Sequence, residues 1–334
     1  MVENAVIGYW AAQEQYSPDE LTQFAIAAEN GGFETVVSSD HFIPWFNSGA
    51  HGGFTWAWMS GTAAYTKKIK FGTGVTAPDR YHPAVIAQAF ATLDSMFPGR
   101  FMLGLGAGEA MNSIPLGIIK PSAGQSVLRL KDALEIITRL WSGNFEQFDG
   151  FFYRLRHAKL YTPPRTKIPI FVAAGGHSTA ELAGEFGDGI IGFSGGEDVM
   201  KVALDSAKKH GKDVEQFGKM IEFKCSFASD YEKAIDSVKV WRSTMVPNIL
   251  SSDISDPREL EEKGSKEVSD KKIEETWTIV TNVEDLINPI QDLVKKGYNY
   301  IQVHSSSPDE IEFVKQFTTR ALPHLRQMYA VAQR

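Results

Sequence analysis

Short apolar segments alternate with amphipathic segments along most of the chain. The apolar segments are typical of buried strands, and the segments between them carry apolar residues at helical spacing. The predicted strands are 6–10, 33–39, 69–75, 101–105, 168–173, 189–193, 220–227 and 298–304. Eight strand signals separated by helices predict an α/β fold of the (β/α)8 TIM barrel type rather than an open sheet.

Capping residues mark where some helices begin. Ser17-Pro18-Asp19-Glu20 combines a cap residue, a proline in the first turn and a glutamate at the third position, which predicts a helix start. The apolar residues that follow at helical spacing are Leu21, Phe24, Ala25 and Ala28. Directly after the fifth strand, Ser178-Thr179-Ala180-Glu181 predicts a second capping box.

Two segments exceed what a barrel needs. Residues 40–58 are aromatic and contain glycine, which suits a loop that covers a site at the carboxyl-terminal face. Residues 248–275 are dense in charge of both signs and predict a helical excursion, either as a solvated surface or in contact with substrate. No stretch rich in proline, glycine or serine divides the chain, so we predict a single domain over residues 1–334.

The composition and net charge restrict the classes of function that the chain can have. The 334 residues are 43% hydrophobic and 22% charged, as in a soluble globular protein. The net charge of -7 argues against a nucleic-acid partner, because phosphate binding requires a basic excess. No apolar stretch approaches the roughly 20 residues of a membrane span, and no signal sequence opens the chain. We expect a cytoplasmic protein without a membrane partner.

Candidate catalytic groups follow the first two strands. Asp40, His41 and Trp45 come after the second strand, and Glu14 comes after the first. The carboxyl ends of parallel strands are where α/β proteins keep their chemistry. Histidine exchanges a proton near neutral pH, and a neighbouring aspartate can fix its tautomer. The alternative is a surface turn in which Asp40 caps the next segment.

Two glycine clusters follow the fourth and fifth strands. In residues 104–109 the third glycine of a dinucleotide fingerprint is replaced by Glu109, so this segment does not predict dinucleotide binding. Its bare backbone instead lets a flat ring approach, and it delivers a carboxylate. Gly175 and Gly176 lead into a predicted helix, whose first N–H groups suit a phosphate.

Metal and serine chemistry are less consistent with the sequence. The eight histidines show no pair at the i, i+4 spacing of zinc helices, and one cysteine, Cys225, excludes a multi-cysteine site. Asp40 with His41 could contribute to a metal site, but spacing suggests no third ligand. The Gly-x-Ser-x-Gly spacing occurs once, at residues 192–196, but we predict no serine nucleophile there. We therefore predict no metal.

At these positions the sequence resembles the bacterial luciferase-like superfamily of barrels, and within it the dehydrogenases that use the deazaflavin coenzyme F420. The motifs that carry the resemblance are AQEQY at 12–16, SDHF at 39–42 with Pro44-Trp45, YHPAVIAQAFAT at 81–92, GAGEAMN at 106–112 and AAGG at 173–176. The resemblance runs nearly end to end. Two kinds of member resemble the chain, the secondary alcohol dehydrogenases and the glucose-6-phosphate dehydrogenases. The family resemblance also implies a homodimer.

The resemblance also implies a role for each matched residue. His41 is the base that takes the hydroxyl proton, and Trp45 places its indole N–H near the substrate oxygen. Glu109 acts as an acid beside the ring or as a partner of the substrate oxygen, and Glu14 completes the polar pocket. The residues implied to bind the coenzyme are Asp40, Gly74, Val75, Ala107, Gly108, Asn112, Ala174, Gly175 and Gly176. A cis peptide bond is implied between Gly74 and Val75.

The substrate is predicted from departures from the family pattern. The sugar-phosphate enzymes hold the phosphate with a threonine, two lysines and an arginine. The corresponding residues here are Phe193, Gly196, Glu262 and Thr276. Because these positions lack a cation, we predict a small or unphosphorylated secondary alcohol. A sugar phosphate remains the alternative, in which Lys263 or Lys266 would supply the charge.

Another class in the same superfamily remains open. It contains reductases and monooxygenases that use F420 or FMN, including a reductase that acts on a pterin. Such a reductase would not need the pair of His41 and Trp45, so this pair favours the dehydrogenase.

Overall fold

The computed structural model describes residues 5–119 and 121–331. The strands are β1 Val6–Ala11, β2 Thr35–Ser38, β3 Lys70–Thr73, β4 Phe101–Leu105, β5 Glu146–Asp149, β6 Arg154–Ala158, β7 Ile170–Ala173, β8 Gly189–Gly192, β9 Gly218–Phe227, β10 Thr278–Val280 and β11 Tyr300–Ser305. The α-helices are α1 Pro18–Gly31, α2 Thr55–Tyr65, α3 Pro83–Met96, α4 Ala110–Ser113, α5 Ala123–Leu140, α6 His177–Phe186, α7 Glu197–Lys209, α8 Tyr231–Val238, α9 Pro257–Glu267, α10 Asp270–Thr276, α11 Ile287–Lys295, α12 Glu310–Gln316 and α13 Leu322–Val331. Shorter 3-10 segments are Ile114–Leu116, Lys239–Met245, Ile249–Ser251 and Val283–Leu286, and Phe317–Ala321 is a π-helix.

The chain divides into two compact units. The first comprises Met1–Ile69 and Ile221–Arg334, and the second comprises Lys70–Met220. In the first unit the strand order is β10-β9-β11-β1-β2, and in the second it is β3-β4-β7-β8. The prediction of one domain over residues 1–334 stays a prediction.

The strands in each unit run parallel, as the alternation of strands and helices predicts. β1 pairs with both β11 and β2 in the first unit. In the second unit β4 pairs with β3 and β7, and β7 pairs with β8. Each of the eight predicted strands overlaps an observed one. The antiparallel hairpin of β5 and β6 and the short strand β10 are additional.

Of the two predicted capping boxes, one lies at an observed helix start and the other does not. Ser17 caps α1, and its N–H donates to the Glu20 carboxylate at 2.9 Å. The predicted capping box at Ser178 is wrong, because the cap of α6 is Gly176, two residues earlier. The Thr179 hydroxyl donates a hydrogen bond to the carbonyl of this cap residue, Gly176, at 2.9 Å.

The core of the first helix lies where its apolar spacing predicts. The buried residues of α1 are Leu21, Phe24, Ala25 and Ala28. Within residues 5–119 and 121–331, no helix is both long and apolar enough to cross a membrane. The same residues contain no group of three or more histidine, cysteine, aspartate or glutamate side chains that could hold a metal ion.

Candidate active site

His41 and Glu14 form a close pair at the carboxyl ends of two neighbouring parallel strands. Ala11 of β1 lies opposite Ser38 of β2, so the residues that follow both strands emerge side by side. His41 Nδ1 lies 3.1 Å from Glu14 Oε1, and the two side chains are 13% and 3% exposed. Asp40, directly before His41, is also buried. The sequence predicts these residues in one site but does not predict the pairing of His41 with Glu14.

Glu14 is held as a carboxylate in spite of its burial. Burial raises the pKa of this carboxyl, but the hydrogen bond and charge of His41 outweigh it, and the pKa lies below its ordinary value. A carboxylate at Nδ1 favours the imidazole tautomer with hydrogen on Nδ1, which leaves the lone pair on Nε2. In this tautomer the Nε2 of His41 is chemically able to accept a proton.

Trp45 lies in the loop that carries His41. Its side chain is buried, and its ring centroid lies 5.8 Å from that of His41 at an angle of 60°. The loop is held by α9, because Glu261 Oε2 accepts the backbone N–H groups of Asn47 and Ser48 at 3.0 Å each. The charged excursion therefore fixes the loop on which the predicted catalytic groups stand.

A second pair of histidine and glutamate in the first unit is missed by the sequence analysis. His304 Nδ1, in β11, lies 2.5 Å from Glu222 Oε1, in β9. Three indole rings surround this imidazole, those of Trp10, Trp241 and Trp277. The signal that could have found His304 is a polar residue at the carboxyl end of a predicted buried strand.

In the second unit, the segment after β4 packs against the segment after β3. The peptide bond between Gly74 and Val75 is cis, as the resemblance implies. A Cβ on Gly106 would lie 2.4 Å from Val75 Cγ2, so only glycine fits there without movement. Gly108 has a φ of +91°, which favours glycine, and a Cβ on it would lie 2.5 Å from Asp79 Oδ2.

Three further predicted residues surround the short helix α4. Glu109 is the cap of α4 and is partly exposed. Ala107 is partly exposed, and Asn112 is buried within the helix. The hydroxyl of Ser113 donates to the Asp79 carboxylate, which ties the end of α4 to the loop after β3. The glycine loop thus presents small residues and one carboxylate.

The glycines after β7 leave open backbone before a ten-residue helix. Ala174 is buried, Gly175 is exposed, and a Cβ on Gly176 would meet nothing within 4 Å. Phe193, predicted at the substrate, is 48% exposed, and its ring lies 3.8 Å from the position of a Cβ on Gly175. Gly196 is the cap of α7. Phe193 therefore lies beside a residue predicted to bind the coenzyme phosphate.

The other two predicted substrate residues lie in the first unit, exposed on α9 and α10. Glu262 forms an ion pair with Lys266 on the same helix. Lys263 Nζ lies 2.6 Å from Glu267 Oε1. The Thr276 hydroxyl donates to a backbone carbonyl of its own helix at 2.9 Å. Both lysines considered as phosphate ligands are therefore paired with carboxylates.

Comparison with known sequences identifies the family. The sequence model of the luciferase-like monooxygenases, the bacterial luciferase family, matches residues 5–288. The chain belongs to this luciferase-like family.

Two known proteins resemble the chain over almost its full length. The F420-dependent glucose-6-phosphate dehydrogenase of Mycobacterium avium (strain 104) is 36% identical, and the match covers 96% of this chain and 98% of the relative. A solved structure, an F420-dependent secondary alcohol dehydrogenase in complex with an F420-acetone adduct, is 32% identical, with 96% of this chain and 99% of that chain covered. Its TM-score is 0.91.

A third protein resembles the chain in its fold only. The coenzyme F420 dependent tetrahydromethanopterin reductase from Methanopyrus kandleri is 19% identical with a TM-score of 0.76, covering 96% of this chain and 99% of that chain. Together with the family match, these likenesses establish the (β/α)8 barrel of the luciferase-like fold for this chain. The predicted fold class is confirmed.

Proposed function

We propose that this luciferase-like protein transfers a hydride from a small, unphosphorylated secondary alcohol to the deazaflavin coenzyme F420. The protein is an F420-dependent oxidoreductase, since its relatives and its structural neighbour are F420-dependent dehydrogenases. The observation that carries the alcohol chemistry is the pair of His41 and Glu14, 3.1 Å apart. Oxidation of an alcohol requires a proton acceptor, and a histidine with a buried carboxylate partner is such a group.

Residues of the second unit support the proposal that the coenzyme binds there. Gly74, Val75 and Ala107 are small or aliphatic and partly exposed, so a flat ring can approach them. The open backbone at Gly176 precedes a helix long enough to attract a phosphate at its amino end. The residues that we propose to hold F420 are Asp40, Gly74, Val75, Ala107, Gly108, Asn112, Ala174, Gly175 and Gly176. When bound, the deazaflavin supplies the acceptor for the hydride of the substrate carbon.

Side chains of the protein accept the proton that the substrate hydroxyl releases. His41 Nε2 takes the proton of the substrate hydroxyl, and Glu14 stabilises the imidazolium that forms. The buried indole of Trp45 orients the substrate oxygen through its N–H and limits access of water. Glu109, at the start of α4, offers a second carboxyl that exchanges a proton beside the coenzyme.

The proposed substrate class follows from the pairing of the lysines on α9 with carboxylates of the same helix. A phosphate carries about two negative charges and normally needs arginine or lysine donors. Lys263 pairs with Glu267, and Lys266 pairs with Glu262. Phe193, which is 48% exposed, offers an apolar surface instead. These pairings support an uncharged alcohol.

A sugar phosphate is the second candidate. Relatives named F420-dependent glucose-6-phosphate dehydrogenase match at 36% identity over 96% of this chain, which favours this substrate. The lysine pairs on α9 are exposed and therefore weak, so a phosphate could compete for Lys263 or Lys266.

The decisive experiment compares substrates and coenzymes side by side. Binding of F420 and of FMN is titrated spectroscopically, and reduction of F420 is then followed with 2-propanol and with glucose 6-phosphate. We expect F420 to bind in preference to FMN and kcat/KM to be higher for 2-propanol. A higher kcat/KM for glucose 6-phosphate would contradict the proposed substrate, and tight FMN binding without a response to F420 would contradict the coenzyme.

We further propose that the protein works as a homodimer in the cytoplasm, as the family resemblance implies. Sedimentation equilibrium measures the first point directly. A monomer at micromolar concentration would contradict it.

A further inference from the structure

The imidazole of His304 is held in one orientation by charge. His304 is 2% exposed, and its Nδ1 lies 2.5 Å from Glu222 Oε1. Burial raises the pKa of Glu222, but the charge of Lys224, 3.6 Å away, and the contact with His304 lower it to about 2. A carboxylate at Nδ1 favours the tautomer with hydrogen on that nitrogen, which fixes the orientation of the ring.

Three indoles enclose this fixed imidazole. The Trp10 ring stacks on it with centroids 6.0 Å apart and planes at 21°. The rings of Trp241 and Trp277 meet it at centroid distances of 4.8 and 5.0 Å and at angles of 90° and 66°. Because such an interior is close-packed, a change in the shape of His304 displaces the indoles around it.

One of these indoles contacts both segments that carry the proposed catalytic groups. Trp241 Nε1 donates to Gln15 Oε1 at 3.0 Å, and Gln15 directly follows Glu14. The Trp241 ring also meets Phe46 edge to face with centroids 5.5 Å apart, and Phe46 directly follows Trp45. Trp241 thus connects His304 to Gln15, in the segment of Glu14, on one side and to Phe46, in the loop of His41 and Trp45, on the other.

We infer that His304 is a positioning residue for the reaction, which acts through Trp241 on the backbone that carries Glu14, His41 and Trp45. This inference rests on the proposed function for what the positioned groups do. Positioning matters because a displacement of about 1 Å at reacting groups can lower the rate about 10²-fold. Glu222 contributes to the same positioning, since it fixes the ring orientation of His304.

A double-mutant cycle tests the route through Trp241. His304→Phe keeps an aromatic ring but loses the bond to Glu222, and Trp241→Phe keeps the aromatic contacts but loses the bond to Gln15. We expect each variant to lower kcat about tenfold while F420 affinity stays unchanged. Because both act on one route, the double variant should lose much less than the product of the two losses.

His210→Phe is the matched control. This histidine also forms a hydrogen bond through Nδ1, to the carbonyl of Ser206 at 2.9 Å, but it lies at the end of α7 in the second unit. We expect it to leave kcat unchanged and to combine multiplicatively with Trp241→Phe. Full multiplicativity between His304→Phe and Trp241→Phe would overturn the inference, as would a wild-type kcat in His304→Phe.

A spectroscopic measurement separates this inference from the proposed function. The ring nitrogens of His41 are observed by 15N NMR in the protein without coenzyme or substrate. We expect their chemical shifts and titration to change in His304→Phe and in Trp241→Phe but not in His210→Phe. Unchanged signals would overturn the positioning role even if alcohol oxidation is confirmed. Changed signals in a protein that oxidises no alcohol would overturn only the proposed function.

Discussion

Replacing Glu14 by glutamine tests whether its buried carboxylate serves His41. The substitution keeps the size of the side chain and its oxygen but removes the charge. The two groups lie 3.1 Å apart and are largely buried. A hydrogen bond to a charged group contributes about 1.5–3 kcal/mol, and about 1.4 kcal/mol corresponds to a factor of ten in rate. We therefore expect kcat to fall about 10- to 150-fold.

The pH profile distinguishes loss of this charge from general damage. In the wild-type protein Glu14 stabilises protonated His41, so the acidic limb of the kcat profile should move to lower pH in Glu14→Gln, by about one to two pH units. The assay follows F420 absorbance at saturating alcohol and coenzyme from about pH 5 to pH 9. Affinity for F420, measured by titration, should be unchanged.

Glu310→Gln is the matched control. Glu310 is also a buried glutamate, at 4% exposure, but burial raises its pKa to about 8. It is therefore mostly protonated at pH 7, and glutamine imitates its neutral form. We expect this variant to turn over like the wild type at pH 7. Equal losses in both variants, or a wild-type rate and pH profile in Glu14→Gln, would refute the role assigned to the pair.

Three further predictions address the base, the glycine loop and stability. His41→Ala should lower kcat by about 10²–10⁴ without loss of F420 affinity; a near wild-type rate would make His41 structural. Gly106→Ala places a Cβ 2.4 Å from Val75 Cγ2 and should cost about 1–3 kcal/mol of unfolding free energy in urea denaturation. Gly61→Ala, inside α2 with open space around its Cβ, should instead stabilise the protein by about 0.5–1 kcal/mol. Glu310 has a native pKa of about 8 against an ordinary 4.5, so the stability it contributes is fully present below pH 4.5 and is lost as the pH rises through 8, up to about 5 kcal/mol. Glu310→Gln should flatten that pH dependence of unfolding, and an unchanged dependence would contradict the raised pKa.

Local patterns in the sequence determined where most elements lie. Strands of a parallel barrel are buried on both faces, so they appear as continuous apolar runs that need no knowledge of their partners. The start of α1 at Ser17 is also local, because the cap and the proline act within one turn. The hairpin of β5 and β6 was missed for the converse reason. Its residues are mostly polar and exposed, and pairing between the two segments holds it.

Only the tertiary structure decided which candidate groups meet. The sequence identifies Glu14, His41 and Trp45 as candidates, because they follow apolar strands within motifs that resemble a known family. Neither spacing nor composition indicates that His41 pairs with Glu14, since this depends on β1 lying beside β2 in one register. His304 and Glu222 are 82 residues apart and meet only because β11 lies beside β9. Contacts between distant residues depend on strand order, and strand order is a property of the whole fold rather than of any segment.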